Sequence, residues 1–175
     1  MKALIASALA VTLALGTLPS RAHTPDPAYD QTRDWVVATI SESAGYASDS
    51  AAVIYKDVSM DACQLRFTTL TTTSSGDTDT AIFAVSLDSL NNVLWGVAND
   101  PARSYVLFTT VRPINFSQET APRIFDRQPR TITASTAVAA LEFGHPGSDV
   151  AETASHMRAA LLRASSLCRV QLASK

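Results

Sequence analysis

The chain has 175 residues and a formal net charge of −2, from 14 basic and 16 acidic side chains. A mildly acidic balance of this kind is unfavourable for binding nucleic acid or anionic lipid, so we expect neither as a partner. Hydrophobic residues make up 46% of the chain. Because the length also suits one domain, a full apolar core can form.

Residues 1–22 have the pattern of a secretory signal peptide. A lysine near the start is followed by an uncharged apolar run over residues 3–15, which is too short for a comfortable membrane span. The run ends before a small-x-small cleavage signal, so we expect cleavage between Ala22 and His23. Removal of the signal takes the net charge from −2 to −4. We therefore expect an exported protein, periplasmic or extracellular, without membrane contact after cleavage; an uncleaved anchor is the alternative.

The chain contains two cysteines, Cys63 and Cys168. In an exported protein, two cysteines most simply form a disulfide. Cys63 lies in a predicted strand and Cys168 lies on the apolar face of the last predicted helix, so the bridge would join that helix to the sheet. Two buried free thiols are the alternative.

A short helix is predicted after a proline-containing lead-in. Residues 23–29 hold two prolines and few apolar side chains, which indicates an extended, flexible segment. Over residues 30–45, Trp35, Val36 and Ile40 offer an apolar helix face, and a glycine at position 45 is a natural end. We interpret Trp35 as a packing anchor rather than as a platform for a ligand.

Six or seven strands follow in hairpin succession. The clearest is 63–73, in which Cys63, Leu65 and Phe67 alternate toward one side. Its threonine-rich end, 68–73, has little to bury and is predicted to stand out from the core as an arm. Residues 131–143 are predicted as a strand, although their alanines also fit a helix. The other predicted strands are 52–59, 80–87, 93–98 and 104–111, with a brief one around 114–116.

The last predicted element is an amphipathic helix over residues 148–170. Asp149 can cap its first turn with Glu152 three residues later, and Arg169 suits the negative end of the helix dipole. Apolar residues at spacings of four and three form a stripe that the rest of the chain must cover. The stripe consists of Val150, Ala154, Met157, Leu161, Ala164 and Cys168.

These elements predict an α+β fold in a single domain over residues 30–172. It has a short N-terminal helix, a curved antiparallel sheet or barrel of six to seven strands, and a long C-terminal helix packed on it. The pattern contains no βαβ units and no repeat, which favours an antiparallel sheet.

The element order resembles the pleckstrin-homology-like barrel, and local phrases are similar to small exported bacterial proteins of unknown function. The phrases are Trp35 on the first helix, residues 55–58 (YKDV) with Cys63 soon after, residues 85–90 (VSLDSL), and residues 158–161 (RAAL) running to Leu167-Cys168. This resemblance covers most of the mature chain. It implies the fold and a single exported domain, but no activity. The basic pocket of lipid-binding members does not carry over, because Lys56 and Arg66 are the only basic residues in that region.

The sequence has no motif for nucleophilic or metal chemistry. It lacks G-x-S-x-G and S-x-x-K, and its histidines do not have the spacing that places two imidazoles on one helix face. We therefore expect no catalytic residue, no metal and no cofactor. One alternative is copper, which His23 could chelate as a new N-terminus if His145 or His156 supplied a second imidazole.

Residues 112–130 are the most unusual segment, because three prolines and four arginines interrupt the strand pattern. Arginine forks suit carboxylate or phosphate, and an exposed Ile-Phe pair could anchor a partner. The alternative is a solvated loop whose Ile-Phe pair folds back onto the sheet. The predicted binding residues are Arg112, Arg123, Phe125, Arg127 and Arg130.

The function that we expect is a non-enzymatic binding or interaction module of the cell envelope, with another envelope protein as partner. The segment 112–130 and the arm 68–73 would form the contact surface. The alternatives are a hydrolase whose site is assembled only in space, and a carrier of a small apolar ligand inside the barrel.

Overall fold

A computed structural model of the protein describes residues 27–120, 130–144 and 149–173. Helix α1 comes first, seven strands follow, and helix α2 comes last, so the predicted α+β class and element order are confirmed. A single 3₁₀ turn, Leu87–Ser89, separates β4 from β5. The bounds are α1 Pro27–Ser43, β1 Gly45–Ala47, β2 Ala51–Asp61, β3 Gln64–Thr73, β4 Thr78–Ser86, β5 Leu90–Val97, β6 Ser104–Thr120, β7 Arg130–Gly144 and α2 Val150–Ala173.

Six of the strands close into a barrel, and β5 extends the sheet beyond it. The strand order is β4-β3-β2-β1-β7-β6-β5, and a further pairing of β4 with β6 closes the ring. Strand β6 makes this possible because it is long: its first half pairs with β5 and its second half with β4. The pairing of β6 with β7 shifts between Thr109 and Ile114. Pro113 lies in this irregular stretch, where a missing N–H is tolerated.

The apolar stripe of α2 lies against the barrel, as its spacing predicts. All six predicted stripe residues are buried. The cap is also confirmed, since Asp149 Oδ1 accepts a hydrogen bond of 2.9 Å from the Glu152 N–H. Inside the barrel, the Phe67 ring stacks on Phe83 at 5.0 Å between centroids, and Phe83 stacks on Phe116 at 5.6 Å. Aromatic and aliphatic side chains therefore fill this part of the interior.

The first helix begins earlier than the sequence predicts. Residues 27–29 of the predicted flexible lead-in form its first turn, and Tyr29 is buried. The Tyr29 hydroxyl accepts a hydrogen bond of 3.2 Å from the Cys63 N–H. Burial is the main cause that raises the pKa of this phenol. The sequence pattern missed this turn because the side chain is ordered by a contact with a distant part of the chain.

The Cys63–Cys168 disulfide joins α2 to the turn between β2 and β3, with 5.6 Å between the two Cα atoms. The pairing agrees with the sequence prediction, but the placement of Cys63 in a strand was wrong. Ala62 and Cys63 form a two-residue turn, and both have positive φ angles, 45° and 63°. A tight hairpin requires this conformation, and here it directs the sulfur toward the helix.

Two other local predictions were wrong. The predicted loop 112–130 is strand over residues 112–120, because β6 continues across the irregular stretch to pair with β4 and β7. The arm 68–73 does not stand out from the core. It pairs with β2 on one side and β4 on the other, and its side chains are half-buried.

Residues 131–143 are a strand, which excludes the helical alternative. The closed ring of strands agrees with the predicted barrel. The likeness of this fold to the pleckstrin-homology-like barrel stays a prediction.

Tyr55 bridges the barrel where its shortest strand ends. Strand β1 has three residues and pairs in parallel with the end of β7. Beyond it, the Tyr55 hydroxyl accepts a hydrogen bond of 3.1 Å from the Glu142 N–H and donates one of 3.4 Å to the Ala140 carbonyl. A side chain thus replaces a strand at this point of the barrel wall.

Removal of the disulfide is expected to lower the free energy of unfolding by roughly 4–5 kcal/mol, because the bridge closes a loop of about a hundred residues in the unfolded chain. The variant that carries both Cys63→Ala and Cys168→Ala is compared with the oxidised protein by guanidinium denaturation. A reductant should lower the midpoint of the oxidised protein and leave that of the variant unchanged. Equal midpoints for the oxidised protein and the variant would contradict this role.

Burial raises the pKa of the Tyr55 phenol, and the hydrogen bond from the Glu142 N–H only partly opposes this. An unfolded tyrosine titrates near pH 10. Above that pH the unfolded chain loses the proton and the folded chain keeps it. The contribution of Tyr55 to the free energy of unfolding is therefore fully present below pH 10 and decreases as the pH rises. Urea denaturation of Tyr55→Phe at pH 8 and pH 11 should show a smaller decrease in the free energy of unfolding between the two pH values than in the native protein. At pH 8 the variant should be less stable by about 1–3 kcal/mol, because the Glu142 N–H loses its partner.

Tyr105→Phe removes an exposed tyrosine and serves as the control, which should keep the alkaline fall of the native protein. An alkaline fall in Tyr55→Phe as large as that of this control would show that the Tyr55 phenol is not its source.

Candidate functional site

Helical geometry determines the position of Trp35, an exposed aromatic residue of α1. The buried face of α1 is formed by Tyr29, Thr32, Val36 and Ile40, at spacings of three and four. Trp35 precedes Val36 by one position and is therefore rotated about 100° away from the centre of that face. Its side chain is 40% exposed. Trp35 is therefore not one of the buried core residues, although most of its surface is covered. Its interpretation as a packing anchor rather than as a platform for a ligand stays a prediction.

Helix α2 supplies the opposite wall of a groove. His156 and Arg163 lie on the flank of its buried stripe, and both are exposed at the surface. Ala159 and Ala160 lie between them. Since alanine side chains are short, they leave room between the two helices, and the groove has a volume of about 400 Å³. Its lining consists of Gln31, Thr32, Trp35, His156, Ala159, Ala160 and Arg163.

The groove combines an aromatic surface with positive charge. The Arg163 guanidinium is permanently charged and offers a planar set of donors that fits a carboxylate, sulfonate or phosphate. The indole of Trp35 offers a flat apolar face with one N–H donor. Thr32 donates its hydroxyl proton to the Ala28 carbonyl at 2.8 Å, which leaves its oxygen as an acceptor.

The lining contains no aspartate or glutamate, and no ion pair of Arg163 occurs within the described parts of the chain. The groove therefore suits a planar anion better than a cation.

A second surface with both arginine and aspartate side chains lies where β4 turns into β5, and it contains the predicted binding residue Arg112. The Arg112 guanidinium forms an ion pair with Asp88 and donates a hydrogen bond of 3.2 Å to the Ser86 hydroxyl. Burial acts against the charge of Asp88, but the Ser86 hydroxyl and Arg112 outweigh it and lower the pKa of this carboxyl. Arg112 is therefore engaged within the fold, since Asp88 is its partner.

The remaining predicted binding residues are not brought together with Arg112 by anything that the structure describes. Arg130 is the first residue of β7, where its backbone pairs with Thr120. Arg123, Phe125 and Arg127 lie outside the described residues, so the binding surface predicted at 112–130 stays a prediction.

The described residues contain no group of three or more His, Cys, Asp or Glu side chains that could hold a metal ion. His156 is the one histidine among them, and it lies in the groove. His23 and His145, which the copper alternative needs, fall outside the described residues, as does the predicted cleavage point between Ala22 and His23. In the three described segments, neither helix has the length and apolar character needed to cross a membrane.

Comparison with known proteins gives no relative: no protein-family model, curated protein or solved structure matches the chain.

Sequence reasoning missed the groove, although part of its signal was present. In a helix whose buried positions are 29, 32, 36 and 40, a tryptophan at 35 lies on the border of the apolar face. His156 directly precedes the buried Met157, a position that lies on the flank of the α2 stripe. That the two flanks meet across the pair of alanines is a property of the packed helices.

Proposed function

We propose that the protein is an exported, non-enzymatic binding module whose groove between α1 and α2 binds a small, planar, anionic molecule. The observation that carries the proposal is that Trp35 and Arg163 line one groove that contains no acidic side chain. A tryptophan left 40% exposed on a disulfide-linked domain has a surface available for stacking.

The dimensions and chemistry of the groove define the ligand class. A volume of about 400 Å³ falls within the range of pockets that hold small molecules, roughly 300–1,000 Å³. Stacking of an aromatic ring on the indole contributes about 0.5–1.5 kcal/mol beyond the buried area. Because Arg163 is exposed, its ion pair with an anionic group contributes up to about 1 kcal/mol. A ligand with one or two aromatic rings and one acidic group can stack on the Trp35 indole and pair with the Arg163 guanidinium.

Export rests on the sequence, and the disulfide supports it. Residues 1–22 have the charge, apolar run and cleavage signal of a signal peptide. Disulfides form and persist in oxidising compartments, and both cysteines of the chain are joined in one. The periplasm or the extracellular space is thus the location that we propose.

The alternatives receive less support from the described residues. A carrier would need space inside the barrel, and the stacked rings of Phe67, Phe83 and Phe116 occupy that part of it. A hydrolase would need a nucleophile beside a base. The one histidine among the described residues, His156, lines the groove, where Thr32 is the only hydroxyl-bearing residue. The Thr32 hydroxyl donates its proton to the backbone of its own helix and not to His156.

The groove is tested with a pair of fluorescent probes, 1-anilinonaphthalene-8-sulfonate and the uncharged N-phenyl-1-naphthylamine. We expect the sulfonate to bind at one site per chain. Trp35→Ala should weaken the binding of both probes at least fivefold, because both rings stack on the indole. Arg163→Gln should weaken only the sulfonate, by up to about fivefold, because it removes one solvent-exposed ion pair.

Two variants serve as matched controls. Trp95→Ala removes the other tryptophan, which is also 40% exposed but lies on β5, and Arg66→Gln removes an exposed arginine of β3. Neither should change either affinity by more than twofold, and the thermal midpoint of each variant shows that it is folded. Sulfonate binding that is unaffected by both Trp35→Ala and Arg163→Gln would exclude the groove as the binding site.

Export is tested by the mass of the N-terminal peptide. The protein recovered from the envelope or medium of an expressing bacterium should begin at His23, since the small residues at positions 20 and 22 direct cleavage after Ala22. Ala22→Leu should block this cleavage and leave the 22-residue segment attached. A chain that keeps its first residues and stays in the cytoplasm would contradict export without affecting the groove.

A further inference from the structure

Strand β5 is the free edge of the sheet. It lies at the end of the strand order and pairs, among the described residues, with β6 alone. Its sequence, LNNVLWGV, has no charged residue and no proline. Soluble proteins usually protect edge strands with such residues, because an open edge pairs with other chains. An uncharged edge strand therefore indicates an interaction surface.

The outward-facing backbone groups of β5 follow from the hairpin that joins it to β6. The Ala98 N–H donates to the Arg103 carbonyl at 2.9 Å, so Ala98 faces β6. Because alternate residues of an antiparallel strand face the same neighbour, Gly96 and Leu94 also bond to β6. The backbone groups of Val93, Trp95 and Val97 then point away from β6, toward the free edge.

Helix α2 protects one half of this edge and leaves the other half open. The Arg158 Nε donates to the Val93 carbonyl at 2.9 Å, and Arg169 donates to the Leu90 carbonyl. No such donor from α2 reaches the Trp95 or Val97 carbonyl within the described residues. Trp95 is 40% exposed and Val97 is 49% exposed, so this half is both apolar and accessible.

We propose that β5 pairs with β5 of a second copy of this chain, antiparallel and about a twofold axis at Gly96. In this register Trp95 lies opposite Val97 of the second copy, and each such pair exchanges two N–H···O hydrogen bonds. The two copies of Gly96 meet as a pair without hydrogen bonds, where Cα atoms approach to roughly 4.5 Å. Glycine fits there, and the Tyr105 hydroxyl already lies 2.7 Å from where a Cβ of Gly96 would be.

Charge complementarity favours a second copy over an unrelated strand. The open half of β5 has a positive group at one end, Arg158 beside Val93, and a negative one at the other, the exposed Asp100 in the turn after Val97. The antiparallel register places Asp100 opposite Asn92 of the second copy, next to the Val93 that Arg158 contacts. Each Asp100 thus lies near the Arg158 of the other copy. The same contact forms twice because a twofold interface is self-complementary.

The interface is tested by sedimentation velocity of the purified, oxidised protein between about 1 and 200 µM. The native chain should be a dimer at the upper end of this range. Val97→Pro removes the outward-facing N–H of Val97 and keeps every hydrogen bond between β5 and β6, because proline is tolerated at a strand edge. This variant should raise the dissociation constant of the dimer at least tenfold. Val97→Ala keeps the N–H and is the matched control, with a shift of less than threefold.

A native chain that is monomeric at 200 µM overturns the proposal, even if it captures another protein through β5. A dimer that is unaffected by Val97→Pro in a folded variant also overturns it. If Val97→Pro fails to fold, amide exchange on the native chain decides the question. The N–H groups of Trp95 and Val97 should exchange at least tenfold more slowly at high than at low protein concentration, while those of β2 do not change. Exchange of Trp95 and Val97 that is independent of concentration would contradict the pairing.

Discussion

The burial of the α2 stripe is the interaction on which the rest of the structure depends. Each large apolar side chain that it removes from water contributes about 1.5–3 kcal/mol, and Met157 and Leu161 are almost completely buried. The stripe covers the sheet at β5, β6 and β7, where the barrel is extended by one strand. The disulfide then fixes the far part of the helix to the β2–β3 turn. Because α2 is held in this way, the backbone positions of the residues on its flanks are defined.

The groove and the protected part of β5 both follow from this placement. On one flank, Arg163 and His156 line the groove beside α1, and the short side chains of Ala159 and Ala160 leave part of the space between the two helices unfilled. On the other, Arg158 reaches the carbonyl of Val93. A single buried stripe thus positions the groove between the helices on one side and protects half of a sheet edge on the other. Within the described residues, no donor of α2 bonds to the carbonyl groups of Trp95 and Val97 in the second half of β5.

The two proposed surfaces are chemically different and independent of each other. The groove presents an indole and a guanidinium to a small anion, and it lies between helices. The open half of β5 presents backbone donors and acceptors with apolar side chains, which suit another strand. Ligand binding and self-association can therefore be present or absent separately. Trp35 and Trp95, which are equally exposed, report on one surface each.

The sequence by itself determined the features that neighbouring residues encode. The α2 stripe, the Asp149 cap and the alternation of Leu65 with Phe67 follow from local periodicity, and the disulfide follows from there being two cysteines. Of the candidate site, only the flank position of His156 and the unusual place of Trp35 beside Val36 could be read in advance.

Tertiary structure alone decided the features that depend on distant partners. The β4–β6 pairing closes the barrel and turns residues 112–120 into strand, because the free backbone of β4 is available to them. The burial of Tyr29 depends on the turn at Cys63, and the half-burial of the arm 68–73 depends on β2 and β4. Periodicity describes one element at a time, whereas these outcomes depend on which element lies beside it. The groove exists for the same reason, since neither helix contains it alone.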